Sequence, residues 1–347
     1  MIVINARFLT QRMTGVQRYA FEVCSRLPKK IGNKKLIFIA PNETIINKLN
    51  NDIDIVFVGK FKGQLWEQIS LPAFLKKNKN PMLINFVGIA PIFYKNKIMF
   101  LYDLAFKHHP EWFSYSFQKL YNFLIPVSLK NSKRIITDSN YVKQDIVKTY
   151  KIPNSKINVI YAAPSNKFIN KNLKREKFIL TVSSIDPRKN LERVIKAFNK
   201  IESEYKLVIV GKKSKTFSNV ELNEKIINDN IIFTGYLTDD ELIDIYNKAE
   251  LFIYASLFEG FGIPPLEAQA CGCACIISNV TSLPEVYEDS VEYFDPRSTD
   301  SIKIKMEEMI NNKDKMMKLR NLGVINLKRY NWGDSTSKLK SIIEELI

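Results

Sequence analysis

Two acids and two cations carry the chemistry that this chain can do. Between Glu259 and Glu267 the sequence reads Glu259-Gly260-Phe261-Gly262-Ile263-Pro264-Pro265-Leu266-Glu267, two carboxylates flanking a loop of glycines and prolines. Some 70 residues upstream stands Ser183-Ser184-Ile185-Asp186-Pro187-Arg188-Lys189-Asn190. Adjacent cations beside a helix N-terminus make a ready anion site, because backbone N–H groups and the helix dipole reinforce them. The spacing expects Arg188 and Lys189 to open a helix, with Asn190 near its cap. A third loop, Gly235-Tyr236-Leu237, precedes Thr238-Asp239-Asp240-Glu241, which has the form of a capping box.

The elements around these loops say where they sit. LFIYAS (251–256) reads as a buried strand and PPLEAQAC (264–271) as a helix start, since proline is favoured in the first turn. Glu259 then lies past a strand end and Glu267 within the first turn of the next helix. That is where open α/β sheets bind ligands. Strand-like runs recur along the chain: MIVINA (1–6), KLIFIAP (35–41), IDIVFVG (53–59), PMLINFV (81–87), KIMFLYD (97–103), RIITDS (134–139) and NVIYAA (158–163). The second half repeats the scheme with FILTVSS (178–184), KLVIVG (206–211), NIIFTG (230–235), LFIYAS, ACIISN (274–279) and VEYFDP (291–296). Near-continuous apolar strands alternating with helices predict parallel sheets covered on both faces. The polar stretch at 164–175 lacks periodicity and divides the chain. The reading is α/β: two doubly wound domains facing across a ligand cleft, over 1–165 and 166–330. The amphipathic segment 331–347 is expected to join the first.

Charge separates the halves. Residues 1–165 hold 25 Lys+Arg against 9 Asp+Glu, a net of +16, whereas 166–347 hold 27 of each. Such asymmetry points the first half at something anionic: a membrane surface, nucleic acid or a phosphorylated substrate. A lysine-rich surface style is the plainer explanation, although the second half shares that style without the excess. No nucleic-acid-binding signature accompanies the charge, so nucleic acid is not expected as a partner. No basic leader precedes an apolar core at the start, and no run reaches the roughly 20 apolar residues that span a bilayer. A soluble or peripheral protein of the reducing cytoplasm is expected. The run Cys271-Gly272-Cys273-Ala274-Cys275 has no nearby His or further Cys to complete a tetrahedral metal set, and packing beneath a strand accounts for it. Asp52-Ile53-Asp54 reads as a solvated strand end, so no metal site is expected.

The set PRKN, FTGYLTDDEL, ASLFEGFGIPPLEAQACG and SLPEV, in this order, resembles the nucleotide-sugar domain of a retaining family 4 glycosyltransferase with the GT-B fold. The resemblance covers residues 175–297. The first half matches more loosely, through Thr14-Gly15-Val16-Gln17-Arg18-Tyr19 and YDLAFKHHPEWF (102–113). It implies that Arg188 and Lys189 hold a donor diphosphate, that Glu259 contacts the transferred sugar and that Glu267 accepts from ribose hydroxyls. Gly262 and Ile263 would offer backbone N–H groups, the Gly235–Leu237 loop would meet the base through the Leu237 backbone, and Gly15 would let its loop approach the diphosphate. Asp103 and His109 would face the acceptor, although His108 and His109 read equally well as loop residues. Where the family often has His before the aspartate, this chain has Tyr102. The implied reaction moves a sugar from a nucleotide diphosphate, GDP-mannose slightly preferred, to a lipid-diphosphate-linked glycan on the inner face of a cell membrane. No cofactor or metal is expected. A nucleotide-sugar epimerase or sugar phosphorylase on the same fold is the alternative.

Overall fold

The computed structural model describes residues 1–31, 36–49, 53–211 and 227–347. Asp52 of the Asp-x-Asp triplet and Lys35 of the second strand run lie outside them. The thirteen apolar runs each overlap a strand, gathered into two parallel sheets; the strand at the NVIYAA run is Ile157–Val159, so that only its last two residues fall within the run. The first holds β1 (Ile2–Asn5), β2 (Leu36–Ala40), β3 (Ile55–Phe57), β4 (Met82–Asn85), β5 (Lys97–Phe100), β6 (Arg134–Thr137) and β7 (Ile157–Val159), in the order β3-β2-β1-β4-β5-β6-β7. The second holds β8 (Glu176–Val182), β9 (Lys206–Val210), β10 (Ile231–Gly235), β11 (Ala249–Tyr254), β12 (Ala274–Ser278) and β13 (Glu292–Phe294), in the order β10-β9-β8-β11-β12-β13. Every pairing is parallel.

The central strands β1, β4, β5 and β12 are buried along their whole length. Helices cover both faces, which is why these strands read as unbroken apolar runs rather than as alternation. In each sheet the order reverses once, between β1 and β4 and between β8 and β11. At such a reversal the loops leaving the C-terminal strand ends diverge to opposite faces and open a crevice. In the first sheet a buried polar network sits there. Asn5 donates to Asn85 (2.5 Å) and to Glu67 (3.0 Å), and Arg7 Nη2 donates to Glu67 (3.1 Å). Burial pushes the Glu67 carboxyl up to about 7, against the pull of Arg7 and of its hydrogen bonds.

The chain divides into two units, one of Met1–Lys107, Ser116–Ala162 and Asn331–Ile347, the other of His108–Tyr115 and Ala163–Tyr330. The short stretch 108–115 thus groups with the second unit, although it lies inside the 1–165 span. The final helix, Trp332–Leu346, packs on the first helix, Gly15–Ile31. Trp332 is buried with its ring edge-on to Tyr19 at 5.1 Å, and Ser335 Oγ donates to Tyr161 O at 2.7 Å. Among the described residues no helix is long and apolar enough to cross a membrane. All four cysteines are buried and free, as packing beneath strands requires.

The contact between Trp332 and Tyr19 makes a direct prediction. Trp332→Ala empties a buried site in the first unit and lowers its stability by about 3–5 kcal/mol. Denaturant unfolding measures this, and an unchanged midpoint would show that the final helix contributes nothing to that unit.

Candidate functional site

The loops singled out in the second half all leave C-terminal ends of the second sheet. Those after β8 and β11 flank its reversal point, and they carry the cations and Glu259 respectively. Leu257 N donates to Arg188 O at 2.8 Å, which ties the two loops together by their backbones. Arg188 and Lys189 do not open the α-helix, as the spacing suggested. They occupy a separate 3-10 turn, Pro187–Lys189, and the helix begins at Leu191. Pro187 starts the turn with its fixed φ, and Asn190, left-handed at φ 58°, breaks the run before the helix. Asn190 Nδ2 donates to Pro296 O at 2.7 Å, which fixes the break in place.

Lys189 and Glu259 meet at 2.5 Å, and both side chains are less than a tenth exposed. Lys189 Nζ also donates to Tyr254 Oη at 2.8 Å, and Tyr254 Oη donates to the same Glu259 oxygen at 2.9 Å. Arg188 Nη1 stands 3.9 Å from the other carboxylate oxygen. Burial works against charge on Glu259, but Lys189 first and Arg188 next outweigh it and bring the carboxyl down to about 2. Burial also pulls the Lys189 ammonium down while Glu259 opposes it; with contact this close, the pair stays ionised. The backbone of Glu259 is gripped as well. Its N–H donates to Thr281 Oγ1 at 3.1 Å, and Ser282 Oγ donates to its carbonyl at 3.0 Å. The result is a fixed carboxylate with a guanidinium at its edge, suited to orienting hydroxyls beside a phosphate.

Gly262 caps the next helix, Ile263–Ala270, at φ 84°. The left-handed φ is what favours glycine here; a Cβ would also lie 2.8 Å from Leu283 Cδ2 and push that buried side chain aside. Tyr287 Oη donates to the Gly262 carbonyl. The left-handed cap lets the helix start at Ile263, one residue ahead of the prolines. Glu267 is therefore its fifth residue, beyond the first turn where the sequence reading put it. There Tyr246 Oη donates to it at 3.4 Å. Because Pro264 and Pro265 lack N–H groups, the helix start presents donors only from Gly262 and Ile263. The third loop follows β10, with Gly235 left-handed at φ 76° and Leu237 half-buried. The capping box behind it forms as expected: Thr238 N donates to Glu241 Oε2 at 2.8 Å, and Glu241 N to Thr238 Oγ1 at 3.4 Å.

His109 joins this unit from far away in sequence. Its ring stacks on Trp112 at 4.0 Å and meets Phe258 edge-on at 5.8 Å, and His108 stacks on Phe258 at 5.8 Å. Phe258 immediately precedes Glu259. Gly15 and Asp103 belong to the first unit, Gly15 starting the helix after β1 and Asp103 lying beyond β5, at the same end of that sheet. A Cβ at Gly15 would meet nothing within 4 Å. Asp103 Oδ1 accepts from Ala105 N at 3.0 Å. Burial pushes the Tyr102 phenol well above its ordinary range. Sequence reasoning missed Tyr254, Thr281 and Tyr246. Tyr254 lies within an apolar strand run that gives no sign of a polar role for its hydroxyl, and Thr281 adjoins the SLPEV motif.

The depressed pKa of Glu259 sets a pH dependence. Its folded value lies below the ordinary 4.5, so the stability that it contributes is full above about 4.5 and lost as pH falls towards about 2. Glu259→Gln should be less stable than the parent near neutral pH. It should also lose less melting temperature between about pH 6 and about pH 3. Equal losses in parent and variant would mean that the pair is not ionised in the folded protein.

Residues 163–323 match the family model described as glycosyl transferases group 1. The serotype-specific mannosyltransferase WbdA of Escherichia coli is 35% identical over 170 residues, 46% of this chain and 21% of that protein. This chain therefore spans about a fifth of that relative's length. The O-antigen chain mannosyltransferase B of Escherichia coli is 24% identical over 370 residues, 94% of each chain. Among solved structures, WaaG, a glycosyltransferase involved in lipopolysaccharide biosynthesis, superposes with a TM-score of 0.78 over 99% of both chains at 14% identity. Residues 163–323, just under half of the chain, are therefore similar to the glycosyl transferases group 1 family, within a chain that has the two-sheet GT-B fold.

Proposed function

We propose that the protein is a retaining glycosyltransferase. It would take a sugar from a nucleotide-diphosphate donor, GDP-mannose slightly preferred, and pass it to a hydroxyl of a lipid-diphosphate-linked glycan in surface polysaccharide synthesis. The observation that carries this reading is the buried Glu259 carboxylate, held by Lys189 at 2.5 Å with Arg188 beside it, at the reversal point of the second sheet. Breaking a sugar–phosphate bond builds negative charge on the leaving diphosphate and positive charge on the anomeric carbon. Arg188 and Lys189, with the backbone N–H groups of Gly262 and Ile263 at the helix start, would answer the first. Glu259 orients the sugar hydroxyls and answers the second, and Lys189 holds Glu259 in place. Glu267 would take the ribose hydroxyls, the Leu237 backbone the base, and Gly15 would admit the diphosphate.

In the proposed step the C1–O bond to phosphate breaks, with its electron pair leaving on the phosphate oxygen. The acceptor oxygen bonds C1 on the same face, and its proton passes to that leaving oxygen. No protein base is then needed, which suits Tyr102, a phenol raised too far to take a proton near neutral pH. Asp103 and His109 would serve to orient the acceptor. The excess charge of the first half suits an anionic membrane surface as partner and a peripheral position on its inner face.

Incubating the chain with a panel of nucleotide sugars should raise its melting temperature for one donor above the rest, since a bound ligand stabilises by mass action. Arg188→Ala should lower kcat/KM with that donor by about 10²–10³. A variant that transfers at the parent rate would remove the assigned donor site, and conversion of donor without acceptor would favour an epimerase. Because Arg188 supplies the positive charge, transfer should persist in excess chelator; its loss there and recovery on adding a divalent cation would overturn the metal-independent reading.

A further inference from the structure

The helical run Gly63–Lys77 in the first unit is apolar on two sides. One side carries Trp66, Leu71 and Leu75 and is fully buried against Val3, Ile39 and Leu83 of the first sheet. The other is open to water. Leu65 is 59% exposed and Ile69 48%, one turn apart, with Phe61 at 45% just ahead of the helix. Gln68, beside Ile69, links this face to the next exposed ring: Gln68 Nε2 donates to Ile89 O (2.9 Å) and Ile92 N donates to Gln68 Oε1 (3.0 Å). Phe93, the next residue, is 82% exposed. A water-soluble helix ordinarily turns such side chains inward, and contiguous exposed apolar surface marks an interaction site.

Charge says what covers it. Residues 58–96 contain six exposed lysines, at 60, 62, 76, 77, 79 and 95, and a single acid, Glu67, which is buried in its ion pair with Arg7. A second copy of the same face would bring like charges together. Nucleic acid would leave the aliphatic side chains in water. An anionic bilayer satisfies both parts, since the apolar side chains enter the interface and lysine stems reach out to the headgroups.

We propose that Phe61, Leu65, Ile69 and Phe93, framed by these lysines, form the face by which the first unit docks on an anionic phospholipid bilayer. This rests on the reading above of a membrane surface as partner and names the surface that meets it. Each lysine near the headgroups contributes about fivefold to partitioning.

The test is co-sedimentation of the full chain with vesicles of phosphatidylcholine, with and without about a third phosphatidylglycerol, a content chosen to give a strongly negative surface. The parent should partition at least about tenfold more strongly into the anionic vesicles, and less so as salt rises. Leu65→Ser with Ile69→Ser, and separately Lys60→Gln with Lys62→Gln and Lys76→Gln, should each weaken that partitioning at least about tenfold. Both variants should keep the donor-induced melting shift. Because the lysine variant alters only exposed groups, it stands if the serine variant misfolds. Equal binding to neutral vesicles, no binding at all, or variants that sediment like the parent would each overturn the proposal. If docking behaves as expected and no sugar is transferred, the docking face stands and the enzymatic reading falls.

Discussion

A carboxylate out of water needs compensation, and much of the second unit is arranged around that requirement at Glu259. Removing one partner of a buried ion pair typically costs about 3–5 kcal/mol, because the remaining charge is stranded. Lys189 reaches Glu259 only because the loop after β8 and the loop after β11 emerge side by side, which follows from the strand order. The turn Pro187–Lys189 is held off the helix by Asn190, and the backbone of Glu259 is fixed by Thr281 and Ser282. Together they keep a charged group rigid in a place where a flexible one would pair with whatever lay nearest.

The two sheets share one plan yet differ at the equivalent point. In the first, the buried carboxylate at the reversal is Glu67, pulled towards neutrality by burial despite Arg7. In the second, two cations overcome the same burial and hold Glu259 ionised. The comparison separates two uses of a buried acid. Glu67 bonds Asn5 and Arg7 and so stitches strand end to helix, whereas Glu259 keeps its charge beside the Arg188 guanidinium.

The strands were legible because a parallel strand buried on both faces must be apolar along its length. The acids and cations were legible as types at a spacing. Their exact placement on elements was not. Whether Glu267 falls in the first turn depends on the left-handed Gly262, and whether Arg188 begins a helix depends on Asn190, one dihedral angle in each case. Tyr254 was hidden by an aromatic ring that suits a core strand, while its hydroxyl joins Lys189 to Glu259. The attachment of 108–115 to the second unit rests on ring contacts with Phe258, about 150 residues away, and no change of composition announces it.

The final helix bears on how the protein comes into being. Domains generally fold as units during synthesis, N-terminal first. Here Tyr19 of the first helix waits for Trp332, and Lys30 for Ser337, a partner made some 300 residues later. The second sheet has all its strands once Phe294 has emerged, whereas the first unit lacks a wall until residues 331–347 leave the ribosome. The order of completion is therefore the reverse of the order of synthesis, and the half-covered apolar face of the first helix is the surface that a nascent chain must keep from aggregating.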